Sequence, residues 1–241
     1  MRAVAAFTLL LVCACSGKPA APYVREHVDG DASKPCLAWP KRSLTYAVDP
    51  AGSARTAGDT ELAAIDAAFA AWNAAAATCS DLTFTKDVAS ANLVVWREKT
   101  CASVVPAGDA CLTDGTCDTK YACWDDVEDT LAITTVTYSR SLGTLLDADI
   151  QLNGAAWLYT TVDSPPCAMG MPLETCVATD VQNTVTHEIG HLLGFGHTDG
   201  KSSTMAAFAP LGDLTKRVID DGTRDGLCAV YPRGAQAPAC P

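Results

Sequence analysis

Apolar residues along the chain fall into alternating runs and helical stripes, separated by turn-forming residues. Ser43 to Val48 alternates as a strand does and stops at Asp49-Pro50. Asp59 can cap a helix running to about Ala76, with Leu62, Ile65, Phe69 and Trp72 on one side at helical spacing. Leu82 to Lys86 and Ala91 to Arg97 read as two further strands. Leu131 to Ser139 is β-branched and strand-like, and Leu146 to Leu152 follows after a turn near Gly143. Thr179-x-x-Gln182 fits a capping box that opens a helix, in which Val181, Val185, Ile189 and Leu192 share a core-facing side. An irregular stretch follows, and Asp220, Asp221 or Thr223 starts a last helix ending by Tyr231.

Composition adds limits. The length, 241 residues, suits one domain of moderate size plus a targeting segment, and 49% apolar residues provide for a substantial core. Acidic residues number 28 against 17 basic, a formal charge of −11. A nucleic-acid binder would show a basic patch or stripe instead, so that class is set aside. Met1 to Cys15 reads as an export signal: Arg2 is the positive start, and Ala3 to Val12 is an apolar run too short to span a membrane. Its end, Val12-Cys13-Ala14-Cys15-Ser16-Gly17, resembles a bacterial lipoprotein signal with Cys15 as the lipidated residue; the alternative is an ordinary cleavage site. Export to the cell surface, the outer membrane or the medium follows from either. Lipid on Cys15 would anchor the chain without spanning the membrane.

Residues 16–35, rich in Pro, Gly, Ala and charge, read as a flexible tether ahead of a domain at 36–241. Beyond Cys13 and Cys15 there are ten cysteines, an even number that reads as disulfides in an exported chain. Local pairs, Cys167 with Cys176 and Cys228 with Cys240, are the expectation. The segment at about 100–129, with four Cys among acidic and Gly residues, reads as a disulfide-tied surface insertion between two strands.

The candidate chemistry sits in Val185 to His197. His187 and His191 are four apart, so on a helix they share a face, about 5–6 Å apart at Cβ, and can hold one metal ion. Glu188 projects beside that ion, placed to take a proton from a bound water. Gly194 can adopt the left-handed conformation that ends a helix, which lets the chain turn back and bring in His197. Three imidazoles with one position left open describe a catalytic rather than a structural zinc site. Three of the chain's four His lie within the eleven positions from His187 to His197.

His-Glu-Ile-Gly-His-Leu-Leu-Gly-Phe-Gly-His matches HExxHxxGxxH, the long zinc motif of the metzincin metalloproteases. Ser203-Thr204-Met205 lies eight residues past His197, the interval of matrixin-type members, in which a Met turn supports the zinc site; here that residue is Met205. The resemblance implies an α+β metzincin-type catalytic domain. Its parts would be a twisted mixed sheet of about five strands with an antiparallel edge strand, two long helices and a C-terminal helix. Zinc would lie in the cleft between N- and C-terminal subdomains, held by His187, His191 and His197, with Glu188 as general base. The implied activity is that of a monomeric zinc endopeptidase acting on proteins or peptides. A lipid-anchored, non-catalytic zinc-binding or adhesion protein on the same fold is the alternative.

Asp147 to Leu152 followed by Trp157 is similar to the matrixin segment that forms the sheet edge along the substrate cleft, which makes Asp149, Ile150, Gln151 and Leu152 edge candidates. Ala206, Ala207 and Phe208 are candidates for the pocket wall. Structural calcium is implied near Asp147 and Asp149, although Asn153-Gly154-Ala155-Ala156 stands where more acids would be expected. Some metzincins are kept latent by an upstream Cys on the zinc. Lys34-Pro35-Cys36-Leu37 does not match the matrixin version, and Cys36 is expected in a disulfide.

Overall fold

The computed structural model describes residues 22–56, 60–172 and 175–240. The expected signal, with Cys15, and the expected helix cap Asp59 lie outside the described residues. The sheet is built from β2 (Ser43–Val48), β3 (Thr83–Lys86), β4 (Leu93–Trp96), β5 (Ala132–Tyr138) and β6 (Leu145–Leu152). Its order is β3-β2-β4-β6-β5; β5 runs antiparallel to its neighbour and the other pairings are parallel. The five strands lie where the alternation places them, within a residue or two.

The edge assignment is corrected. Asp149, Ile150, Gln151 and Leu152 lie on β6, which is hydrogen-bonded to β4 on one side and β5 on the other. A strand with both sides paired has no free backbone groups to offer a ligand. The antiparallel edge is β5, whose outer side pairs with no strand among the described residues. Alternation in a sequence shows which face a side chain takes, but not how many neighbours its backbone has.

Helix α1 (Thr60–Ala77) packs Ile65, Phe69 and Trp72 into the core, each at most 1% exposed. It lies against α5 (Val181–Leu192), the helix of the motif, and the Trp72 Nε1–H donates to the Thr186 carbonyl at 2.9 Å. The cap of α5 is Asp180 rather than Thr179: its carboxylate accepts the Asn183 N–H at 2.7 Å, and Thr179 belongs to a short strand. Arg217 closes on Asp180 with Nε at 2.8 Å and a second nitrogen on the other oxygen, a bidentate pair. The last helix, α6 (Asp221–Val230), is capped by Asp220, one of the three starts expected.

Residues 22–35 depart from the tether reading. Their β1 (Val24–Arg25) pairs antiparallel with β9 (Phe195–Gly196), the strand leading into His197. Five disulfides join the ten cysteines: 36–240, 79–228, 101–123, 111–117 and 167–176. Cys167–Cys176 is as expected, whereas Cys228 pairs with Cys79 and Cys240 with Cys36. Two of the bridges therefore span 204 and 149 positions and tie segments before and after α1 to the last part of the described chain. The insertion forms three short helices, α2 (Cys101–Val104), α3 (Cys111–Asp114) and α4 (Cys117–Tyr121), between β4 and β5. No helix among the described residues is long and apolar enough to cross a membrane.

Candidate metal centre

Helix α5 ends where Gly194, at φ +84°, reverses the chain. A Cβ there would lie 2.5 Å from the Leu37 carbonyl oxygen, so glycine is required by conformation and by space. The reversal returns His197 to the face that carries His187 and His191. The three Nε2 atoms form a near-equilateral triangle with sides of 3.1, 3.1 and 3.2 Å.

Their tautomers follow from their outer nitrogens. His187 Nδ1 donates to the Thr204 carbonyl and His191 Nδ1 to the Phe195 carbonyl, each at 2.7 Å. Both Nε2 atoms are then left with lone pairs aimed at the centre of the triangle, an arrangement that a cation relieves. Four-coordinate zinc at about 2.0–2.1 Å from nitrogen would set neighbouring nitrogens about 3.3–3.4 Å apart, so the triangle fits it closely. Burial holds the His187 proton affinity well below the ordinary value and that of His197 down to about 4. The neighbouring imidazole of His191 and the Lys216 cation push the same way. Neutral imidazoles, the form that binds metal, are the result.

Glu188 is 4% exposed, and burial raises its pKa. Thr134 Oγ1, on β5, donates to Glu188 Oε2 at 2.7 Å, which opposes that rise and fixes the carboxylate. Beneath the triangle, Met205 is fully buried. Its sulfur sits 2.1 Å from where a Cβ of Gly190 would stand, so that glycine admits it. Asp220 holds this turn to α6, accepting the Thr204 N–H and the Thr223 hydroxyl, each at 2.6 Å.

The triangle opens into a cleft of about 810 Å³. Residues 130–134 with Val136 and Tyr138 line one side, Ala207 to Leu211 the other, and Asn183, Thr184 and Lys216 its inner end. Of the expected wall residues, Ala207 and Phe208 line the cleft. Ala206 is buried, its carbonyl taking the Lys216 ammonium. The four β6 candidates do not line it. Asp147 and Asp149 belong to no group of three possible ligands among the described residues. Asp149 instead accepts the Leu93 N–H at 2.8 Å, and calcium is unsupported. Among the described residues one other trio of possible ligands is close together, His27, Cys36 and Cys240, but both sulfurs are spent in their disulfide. Asn183 stands one helical turn before His187 on α5, whereas Thr134 and Lys216 carry no local signal in the sequence and reach the site through sheet order and the fold of 213–218.

The mixed five-stranded sheet with its antiparallel edge and the C-terminal helix are consistent with a matrixin-type α+β fold. The matrixin family model matches residues 117–231, from the insertion to the end of α6, and across that stretch the chain is matrixin-like. It is similar to matrix metalloproteinase-25 of Homo sapiens, 39% identical over 62 residues, which is 25% of this chain and 11% of that protein. The mouse counterpart is 38% identical over 61 residues, 24% of this chain and 10% of its own length. The chain thus spans about a tenth of the length of the curated relatives it matches.

Proposed function

We propose that this chain is a zinc-dependent endopeptidase that hydrolyses proteins lying extended along β5. The reading rests above all on the triangle of Nε2 atoms beside a buried carboxylate. His187, His191 and His197 would hold the ion and leave one position open. Zinc, when bound, supplies a water whose pKa is near 7 and polarises the scissile carbonyl.

The chain's own groups do the rest. Glu188 accepts the water's proton and returns it to the leaving amine; burial raises its proton affinity toward the range a base needs at neutral pH. Thr134 occupies Oε2 and leaves Oε1 for the proton. The open side of β5 offers N–H and C=O groups that an extended peptide can pair with as a sixth strand. Met205 supports the histidines from below. The five disulfides suit an oxidising, extracellular setting. Export through residues 1–15, with Cys15 lipidated, belongs to the same proposal.

The test is Glu188→Ala in the full chain. Metal analysis is expected to give one zinc per chain in both proteins, while cleavage of a denatured protein falls by roughly 10²–10⁴-fold in the variant. A chelator abolishes cleavage by the parent protein. Undiminished cleavage by the variant refutes the role given to Glu188, and no bound zinc refutes the reading itself.

A further inference from the structure

The inner end of the cleft carries a cation with no anion to match it. Lys216 lines the recess between the first turn of α5 and the wall at 207–211, yet it is only 4% exposed. Two contacts hold it there. Its backbone N–H donates to Asn183 Oδ1 at 2.7 Å, and the next residue, Arg217, is paired with Asp180 at the start of the same helix. Its Nζ donates to the Ala206 carbonyl and lies 3.5 Å from His187 Nδ1. That ring nitrogen is itself a donor, committed to the Thr204 carbonyl, and takes nothing from the ammonium.

An ammonium group has three N–H donors, and one is used here. Among the described residues no carboxylate forms an ion pair with Lys216; Asp213 and Glu188 act on it only through space. A buried cation without a partner is unfavourable. Bonding one backbone carbonyl does not require a charge, since a neutral donor would serve. The remaining donors belong to the end of a recess whose sides, Ala207, Phe208 and Leu211, are apolar.

We infer that Lys216 determines specificity, so that the recess beside His187 selects a substrate residue with a carboxylate side chain, Glu or Asp, over an apolar one. The inference rests on the endopeptidase reading above. Apolar walls take the methylene stem, and the ammonium at the end takes the carboxylate, which ends the mismatch in the free protein. The chain's overall charge of −11 disfavours polyanionic partners. Selection is therefore for a single acidic side chain in an otherwise uncharged segment.

The experiment is cleavage of a mixed peptide library by the zinc-loaded full chain, with the cut sites read by mass spectrometry. At one position flanking the cut, Glu or Asp is expected to exceed Leu, and also the neutral isosteres Gln and Asn, by roughly ten- to a hundredfold in kcat/KM, the scale of a charge-assisted bond. The comparison of Glu with Gln needs no variant and is immune to misfolding. Lys216→Met should abolish that preference while other positions keep theirs, and Lys216→Arg should retain it. Parent protein that cuts without preferring Glu to Gln at any flanking position overturns the inference alone, as does a preference unchanged in Lys216→Met. Zinc-loaded parent protein no more active than Glu188→Ala overturns the endopeptidase reading, and this inference with it.

Discussion

Helix α5 and the insertion between β4 and β5 are kept in place by different means. Ten of the twelve residues of α5 are buried. Its flanks meet Trp72, Phe195 and Met205, and its ends are closed by Asp180 at the start and by Trp39 and Tyr231 at the finish. The insertion buries a cluster of four cysteines, with Val104, Val105 and Tyr121 packed on it. Around that cluster its polar contacts are local: Asp109 takes the Lys120 ammonium at 2.8 Å and the Tyr121 hydroxyl at 2.5 Å. Longer-range hydrogen bonds tie it back at two points: Gln151 Nε2 on β6 donates to Asp118 at 2.9 Å, and the Glu128 carbonyl accepts from Asn153 Nδ2 at 3.0 Å and Trp157 Nε1 at 3.1 Å. Where a segment has too little apolar surface to order itself, covalent bonds supply the order. Where the chemistry sits, packing and the Nδ1 bonds of His187 and His191 to backbone carbonyls hold the rings.

The largest expected effect tests the packed half. Trp72→Ala removes a side chain with no exposed surface together with its bond to the Thr186 carbonyl. Denaturant unfolding should show a loss of about 3–5 kcal/mol. Zinc affinity should fall with it, because α5 loses the surface it rests on. A loss below about 1 kcal/mol would mean that α5 does not depend on α1.

A smaller effect is expected at Asp220, and it carries a pH signature. Burial alone would raise the pKa of this carboxyl, but the bonds from the Thr223 hydroxyl, the Thr204 N–H and the Thr223 N–H together bring it below the ordinary value. A depressed folded value means that its stabilisation is complete above the unfolded value near 4 and vanishes as pH falls through the lower folded value. Asp220→Asn should therefore cost about 1 kcal/mol at neutral pH, a modest figure because the group is half-exposed. The cost should shrink as the pH drops below about 4. A gap that widens in acid would contradict this role.

The smallest global effect belongs to the insertion. Cys111→Ser with Cys117→Ser opens a bridge whose ends are six positions apart. Chain entropy puts about 2 kcal/mol on such a loop, but it falls on the insertion alone. Hydrogen exchange should speed up within 101–123 while α5 amides and the main thermal transition stay as they were. Faster exchange in α5 would show that the two regions are coupled.

Much of this was legible in the sequence. The five strands, α1, α5 and α6 follow from periodicities of 2 and 3.6, and the reversal at Gly194 from the spacing of the third histidine. Three features were hidden, for related physical reasons. Strand alternation fixes the faces of β6 but not its interior place, so the edge role fell to the wrong strand. Cysteine spacing favours near partners, whereas Cys36–Cys240 and Cys79–Cys228 join segments that only the finished fold brings together. Thr134 and Lys216 sit in runs of ordinary composition, and each meets the site across more than 25 positions of chain. Local sequence reads local geometry well; what crosses the molecule has to be seen in place.

The closure at the end of α5 bears on how the molecule is made. The Leu192 carbonyl is bonded by Trp39 and the Leu193 carbonyl by Tyr231, residues 192 positions apart that also bond each other. A ribosome delivers the first of these long before the second. The second bond therefore cannot form until Tyr231 has been added, so the end of α5 is completed well after the helix itself has been made.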